Sequence, residues 1–209
     1  MMPTGTTLLL VGAALIYFGV GQRLLDRLRL TDTQALVFIA LMIGGSFITI
    51  PLKSGRTSVS LNLGGALVPL ILVGYLLVTA DESKEKIRAV VASLVTAGVI
   101  FGVSQLTDFD PSSKWLIVDP LWLFSIVAGI VGYLAGRSRR ASFIAGVLGI
   151  FLVDLVHFIQ ALATNLPTRI VLGGAGVFDG MILAGLIALG LAEFVGETRE
   201  RIEGGGEDL

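Results

Sequence analysis

Seven apolar stretches, each bounded by polar or charged clusters, follow one another at about residues 5–21, 33–52, 59–80, 86–106, 118–136, 141–163 and 169–194. Crossing about 30 Å of hydrocarbon takes roughly 20 helical residues, so each stretch is long enough for a membrane-spanning helix. The connections are short and leave no aqueous domain. In "DPLW", Asp119 stands at an N-cap and Pro120 at the first helical position, which marks the start of the fifth helix. The pattern predicts an all-α fold: a polytopic transmembrane bundle of about seven helices. It forms one domain over residues 1–196, followed by a polar cytoplasmic tail over 197–209.

Composition agrees with this class. Hydrophobic residues make up 54% of the 209 and charged residues 15%, with a mean hydropathy of +0.88. A soluble domain carries roughly 25% charged residues, so the lipid bilayer is the expected partner. The 27 glycines fall largely inside apolar runs, where small residues let helix backbones approach closely. The net charge of −1 argues against a nucleic-acid partner. The absence of cysteine excludes disulfides, thiolate metal sites and cysteine nucleophiles. The N-terminal "MMPTGTTLLLVGAALIYFGVGQR" lacks the basic start of a cleaved signal peptide. It reads as a retained first helix.

The cations set an orientation. Arg23, Arg27, Arg29, Lys84, Lys86, Arg88, Arg137, Arg139, Arg140, Arg199 and Arg201 fall on one side of a seven-helix arrangement. Lys53, Arg56, Lys114 and Arg169 fall on the other. The richer side is expected to be cytoplasmic, with the N-terminus outside and the C-terminus inside. Short similarities recur in the same order. "FIALMIG" (38–44) matches "FIAGVLG" (143–149), "LGGALV" (63–68) matches "LGGAGV" (172–177), and "YFGVGQR" (17–23) faintly matches "YLAGRSR" (133–139). They predict a parallel 3+1+3 repeat, a device of transporters. The shared richness in Gly, Ala and Leu is the competing explanation.

Two carboxylates interrupt the apolar runs: Asp154 in "VLGIFLVDLVHFI" and Asp179 in "LGGAGVFDGMILAGLIALG". A charge at the centre of a membrane helix costs about 2.5–3.5 kcal/mol on insertion scales, so such residues commonly face a cavity, a partner or a pathway. Both lie about equally far from the turn at "NLPT". At 1.5 Å per residue they should share one level, about 15 Å below the outer surface. Two carboxylates within hydrogen-bond reach cannot both ionise cheaply, and such a pair shares a proton and is suited to acid–base work on water.

Nearby residues extend the candidate site. Gly176 and Gly180 form a G-x-x-x-G face beside Asp179 that could admit an extended substrate backbone, although most such faces serve helix packing. His157, the one histidine, falls on the face of Asp154 and either relays protons or bonds a backbone carbonyl. Asn62 and Pro69 lie in "SVSLNLGGALVPLIL". There a proline inside a helix frees a carbonyl at membrane depth and could line a substrate path. One His and two Asp lack metal-ligand spacing, so no metal and no cofactor are expected.

"LNLGGALVPL" (61–70) and "GGAGVFDGMILAG" (173–185) resemble the prokaryotic polytopic membrane family catalogued as domain of unknown function number 1614. That resemblance implies a multi-pass protein of the prokaryotic inner or plasma membrane. A weaker resemblance is to presenilin-type intramembrane aspartyl proteases, with Asp154 and Asp179 in the two aspartate positions. Here Val177 and Phe178 separate "GAG" from Asp179, and "ALVPL" (66–70) only loosely stands in for a Pro-Ala-Leu element. The reading is a membrane protein with an intramembrane two-aspartate site, a candidate aspartyl protease acting on a transmembrane peptide. The alternatives are a proton- or cation-coupled transporter of a small solute and a structural or assembly membrane protein.

Overall fold

The computed structural model describes residue 28 and residues 30–106, 120–164, 167–174 and 179–204. Helix α1 spans Asp32–Gly45 and opens with a capping box. The Thr31 hydroxyl accepts from the Gln34 amide, and the Gln34 side chain accepts from the Thr31 amide. Strands β1 (Thr49–Lys53) and β2 (Thr57–Asn62) follow. A π-helical turn, Leu63–Leu67, leads into α2, Val68–Val78. Helices α3 (Ser83–Leu106), α4 (Pro120–Gly136) and α5 (Arg139–Ala163) come next, then β3 (Thr168–Leu172) and α6 (Gly180–Gly204).

The fourth, fifth and sixth apolar runs are helices close to their expected bounds, with Pro120 opening α4. Three other runs differ. Helix stops at Gly45 within the run 33–52, which ends as β1. The run 59–80 begins as β2, and the run 169–194 begins as β3. The segments "TIPLK", "TSVSLN" and "TRIVL" are rich in β-branched residues that fit a pleated surface. The sheet has the order β1-β2-β3. Strands β1 and β2 form an antiparallel hairpin, while β2 and β3 pair in parallel from Thr57↔Thr168 to Leu61↔Leu172. The polar tail is helical in its first part, since α6 continues to Gly204. The first apolar run, 5–21, lies outside the described residues.

Helices α3 to α6 pack as a bundle with α5 against all three others. Small residues make the crossings close. A Cβ at Gly132 would stand 3.0 Å from the Gly146 nitrogen, and one at Gly136 would stand 2.5 Å from the Ser142 nitrogen. Such contacts are how helices associate where lipid removes the hydrophobic drive. Among the described residues, α3 and α5 are long and apolar enough to cross a membrane. The outward row of α3, with Val90, Val91, Leu94 and Val95 exposed, forms the kind of contiguous apolar patch that soluble monomers rarely leave uncovered. This is the helical, apolar architecture of a membrane protein.

Candidate functional site

Helices α5 and α6 run antiparallel, and three contacts fix their register. At one end Arg139 pairs with Glu193. Further along, a Cβ at Gly146 would meet the Ala184 carbonyl, and one at Gly185 would meet Val147 and Phe143. Asp154 lies fifteen positions beyond Arg139, and Asp179 lies fourteen positions before Glu193. At 1.5 Å per residue these separations are about 22 Å and about 21 Å, so the two carboxylates share a level.

Equal depth was expected, but it arises differently. Residues 168–172 are extended, and Asp179 is not inside a helix. It caps one. Its Oδ1 accepts from the Met181 amide at 3.3 Å, and its carbonyl accepts from the Ile182 and Leu183 amides. Asp154 sits on the continuous helix α5. Asp179 is 7% exposed and Asp154 is half-buried.

Both line a cavity of about 310 Å³. It occupies the end of the bundle where α3 and α5 finish and α4 and α6 begin. Its wall is mostly apolar, including Ile100, Leu121, Phe124, Ile150 and Val153. His157 joins the wall one turn beyond Asp154, its ring 6.0 Å from that of Phe101. Gly180 also joins it, and a Cβ there would stand 3.2 Å from the Ser125 hydroxyl. Ser104, Val171 and Gly174 also line it. Ser104 was not anticipated. Its one signal is position, a hydroxyl near the end of α3, where its Oγ donates to the Phe101 carbonyl. Gly176 lies outside the described residues. Among the described residues no three His, Asp or Glu side chains gather as a metal site.

Asn62 and Pro69 are not on the cavity wall. Asn62 is buried and holds the sheet to the π-helical turn. Its Nδ2 donates to the Ser46 carbonyl (2.8 Å) and the Thr49 hydroxyl (3.1 Å), and its Oδ1 accepts from the Gly65 amide (2.8 Å). Pro69 is fully buried at the second position of α2, inside the continuous helical stretch Leu63–Val78 where the wider π turn passes into α-helix. These residues stand one layer behind the site. Gly173 has φ +71°, which suits glycine, and a Cβ there would strike the Gly65 and Ala66 backbone at 2.5 Å. The π turn therefore backs the Gly173–Gly174 turn that closes the cavity.

A second polar cluster lies at the opposite end of the bundle. The Ser138 hydroxyl donates to Glu85 (3.0 Å) and caps α5, and the buried Arg140 reaches the Thr79 carbonyl and Glu85. With Arg139–Glu193, it ties α2, α3, α5 and α6 together.

The chain has no match among curated proteins or among solved structures. The family model described as "Protein of unknown function (DUF1614)" matches residues 25–191, a span that contains the sheet, the cavity and both aspartates, and the chain belongs to that family.

Proposed function

We propose that this protein is an intramembrane aspartyl hydrolase that cleaves a peptide bond with Asp154 and Asp179. The observation that carries the reading is the placement of two carboxylates from different elements, at one level, on the wall of one largely apolar cavity. A lone buried carboxylate is a liability, whereas a pair sharing a proton holds an acid and a base on the two sides of a water. The cavity walls provide apolar surface for substrate side chains. The protein would be multi-pass in the cell membrane. The basic end of the bundle, with Arg137, Arg139 and Arg140, would be cytoplasmic and the cavity nearer the outer face.

The test is cleavage of a transmembrane peptide by the full chain in proteoliposomes. Asp154→Asn and Asp179→Asn keep the side-chain shapes and remove the acid–base groups. Each should abolish cleavage while the protein stays folded and inserted, and the double variant should be no worse than either single one. Full activity in both single variants would make the aspartates structural.

One observation favours a second reading, a proton-coupled transporter. The parallel strands β2 and β3 run into the similar segments "LGGALV" and "LGGAGV", as halves of a repeat would. Proton-driven uptake into the same vesicles, lost in the same Asn variants without any peptide cleavage, would select it.

A further inference from the structure

We infer that the two aspartates have unequal roles: Asp179 is the fixed carboxylate that takes a proton from water, and Asp154 is the partner that carries the shared proton and donates it. The assignment rests on the hydrolase reading above and divides the labour within that site.

The asymmetry is geometric. Asp179 stands at the N-cap of α6, a helix of 25 residues. Unpaired amides at a helix N-terminus amount to about half a positive charge, which favours a carboxylate over a neutral acid. The Met181 amide donates directly to Asp179 Oδ1, and no other acidic residue occupies the first turn of α6 to compete for that field. Asp154 has neither advantage. It lies far from both ends of α5, where backbone amides are spent on the helix itself. Among the described residues no donor hydrogen-bonds its carboxyl. Among the described residues the remaining titratable group on the wall is His157, one turn further along α5, its ring tilted toward that of Phe101. With one proton between the carboxyls, the negative charge rests where the helix terminus holds it and the proton rests on Asp154.

The chemistry then has a direction. Asp179 removes a proton from water as the water oxygen bonds to the scissile carbonyl carbon. Asp154 gives its proton to the carbonyl oxygen, producing a gem-diol. Asp179 passes its proton to the amide nitrogen, and the C–N bond breaks. A gem-diol hydroxyl returns a proton to Asp154 as the new acid forms. One water is consumed and both carboxyls regain their starting states.

The experiment is isotope-edited infrared spectroscopy of the full chain in lipid nanodiscs, with carbon-13 in the aspartate carboxyls. The carbonyl stretch of a protonated carboxyl should be present in the wild type, retained in Asp179→Asn and lost in Asp154→Asn. Loss in Asp179→Asn, persistence in Asp154→Asn, or absence from the wild type each overturns the assignment. The peptide-cleavage assay run beside it separates the two claims. Cleavage with the wrong spectral pattern refutes the division of roles alone. The expected pattern without cleavage refutes the hydrolase and leaves Asp154 as the proton carrier of a transporter.

Discussion

Replacing Gly146 by alanine adds one methyl group where α5 crosses α6. That methyl would lie 2.7 Å from the Ala184 carbonyl carbon and oxygen and 2.8 Å from the Gly185 nitrogen. All three are backbone atoms, so no side chain can rotate away and the helices must separate. Forcing extra volume into a packed crossing costs about 1–3 kcal/mol, and 1–2 kcal/mol already shifts a folding equilibrium by about 5- to 30-fold. Gly98 and Gly102 on α3 are the controls, because an added Cβ at either meets nothing within 4 Å. There alanine gains up to about 1 kcal/mol of helix propensity in water. The two substitutions should therefore differ in sign. Denaturant unfolding in detergent micelles, followed by circular dichroism, measures this. Gly146 lies eight positions before Asp154, so the same displacement should misalign the carboxylates and lower activity more than stability. A Gly146→Ala protein as stable and active as Gly98→Ala would refute the argument that this contact sets the register.

Further outcomes follow from the same contacts. Glu193→Gln leaves the mostly buried Arg139 guanidinium without its counter-charge, which should cost about 3–5 kcal/mol. Replacing both residues by methionine should recover much of that loss, and equal destabilisation of single and double variants would contradict the pairing. Asn62→Ala removes the cap of the π-helical turn and two donated bonds, so a loss of about 1–2 kcal/mol is expected. It should appear as faster proteolysis within the β1–β2 hairpin, and unchanged protection would show that the clasp is dispensable. Cysteines at Thr164 and Thr198, both exposed, should label from opposite sides of sealed vesicles, and labelling from one side would overturn the proposed topology.

What the sequence revealed and what it hid have physical causes. Runs that are helical throughout were legible because length and apolar content suffice to mark them, as in α3, α4 and α5. The sheet was not legible. Its strands are short, their apolar residues merge with the adjoining helices, and the β2–β3 pairing joins residues more than a hundred positions apart. Asp154 and Asp179 stood out because charge is costly in an apolar run. His157 and Gly180 were found by their spacing from these residues, and both line the cavity. Asn62 and Pro69 also stood out as polar or helix-breaking residues at apparent membrane depth. That signal reports any unusual backbone. Here the unusual backbone is the π turn behind the wall, and the wall itself lies elsewhere.

The strand before α6 explains how a carboxylate is accommodated in so apolar a segment. Had residues 169–194 formed one helix, Asp179 would sit in its interior with its neighbouring amides already bonded, and its charge would face packing or lipid unaided. Extending residues 168–172 as β3 delays the helix until Gly180. Irregular backbone at membrane depth is tolerated where surrounding protein satisfies it, and the neighbouring strand and the π turn do so here. β2 supplies the hydrogen bonds for β3, and the Gly173–Gly174 turn packs on the π turn and borders the cavity. The helix that follows then offers its unpaired first amides at the level of Asp154. An aspartate at this point satisfies those amides, and they in turn stabilise its charge. The strand, the glycine turn and the cap thus act as one device. Asn62→Ala, which loosens the turn behind it, should therefore weaken the function of Asp179 without touching the carboxylate. Cleavage assays on Asn62→Ala protein that is still folded and inserted should show reduced turnover, and wild-type turnover in such protein would break this link between the sheet and the site.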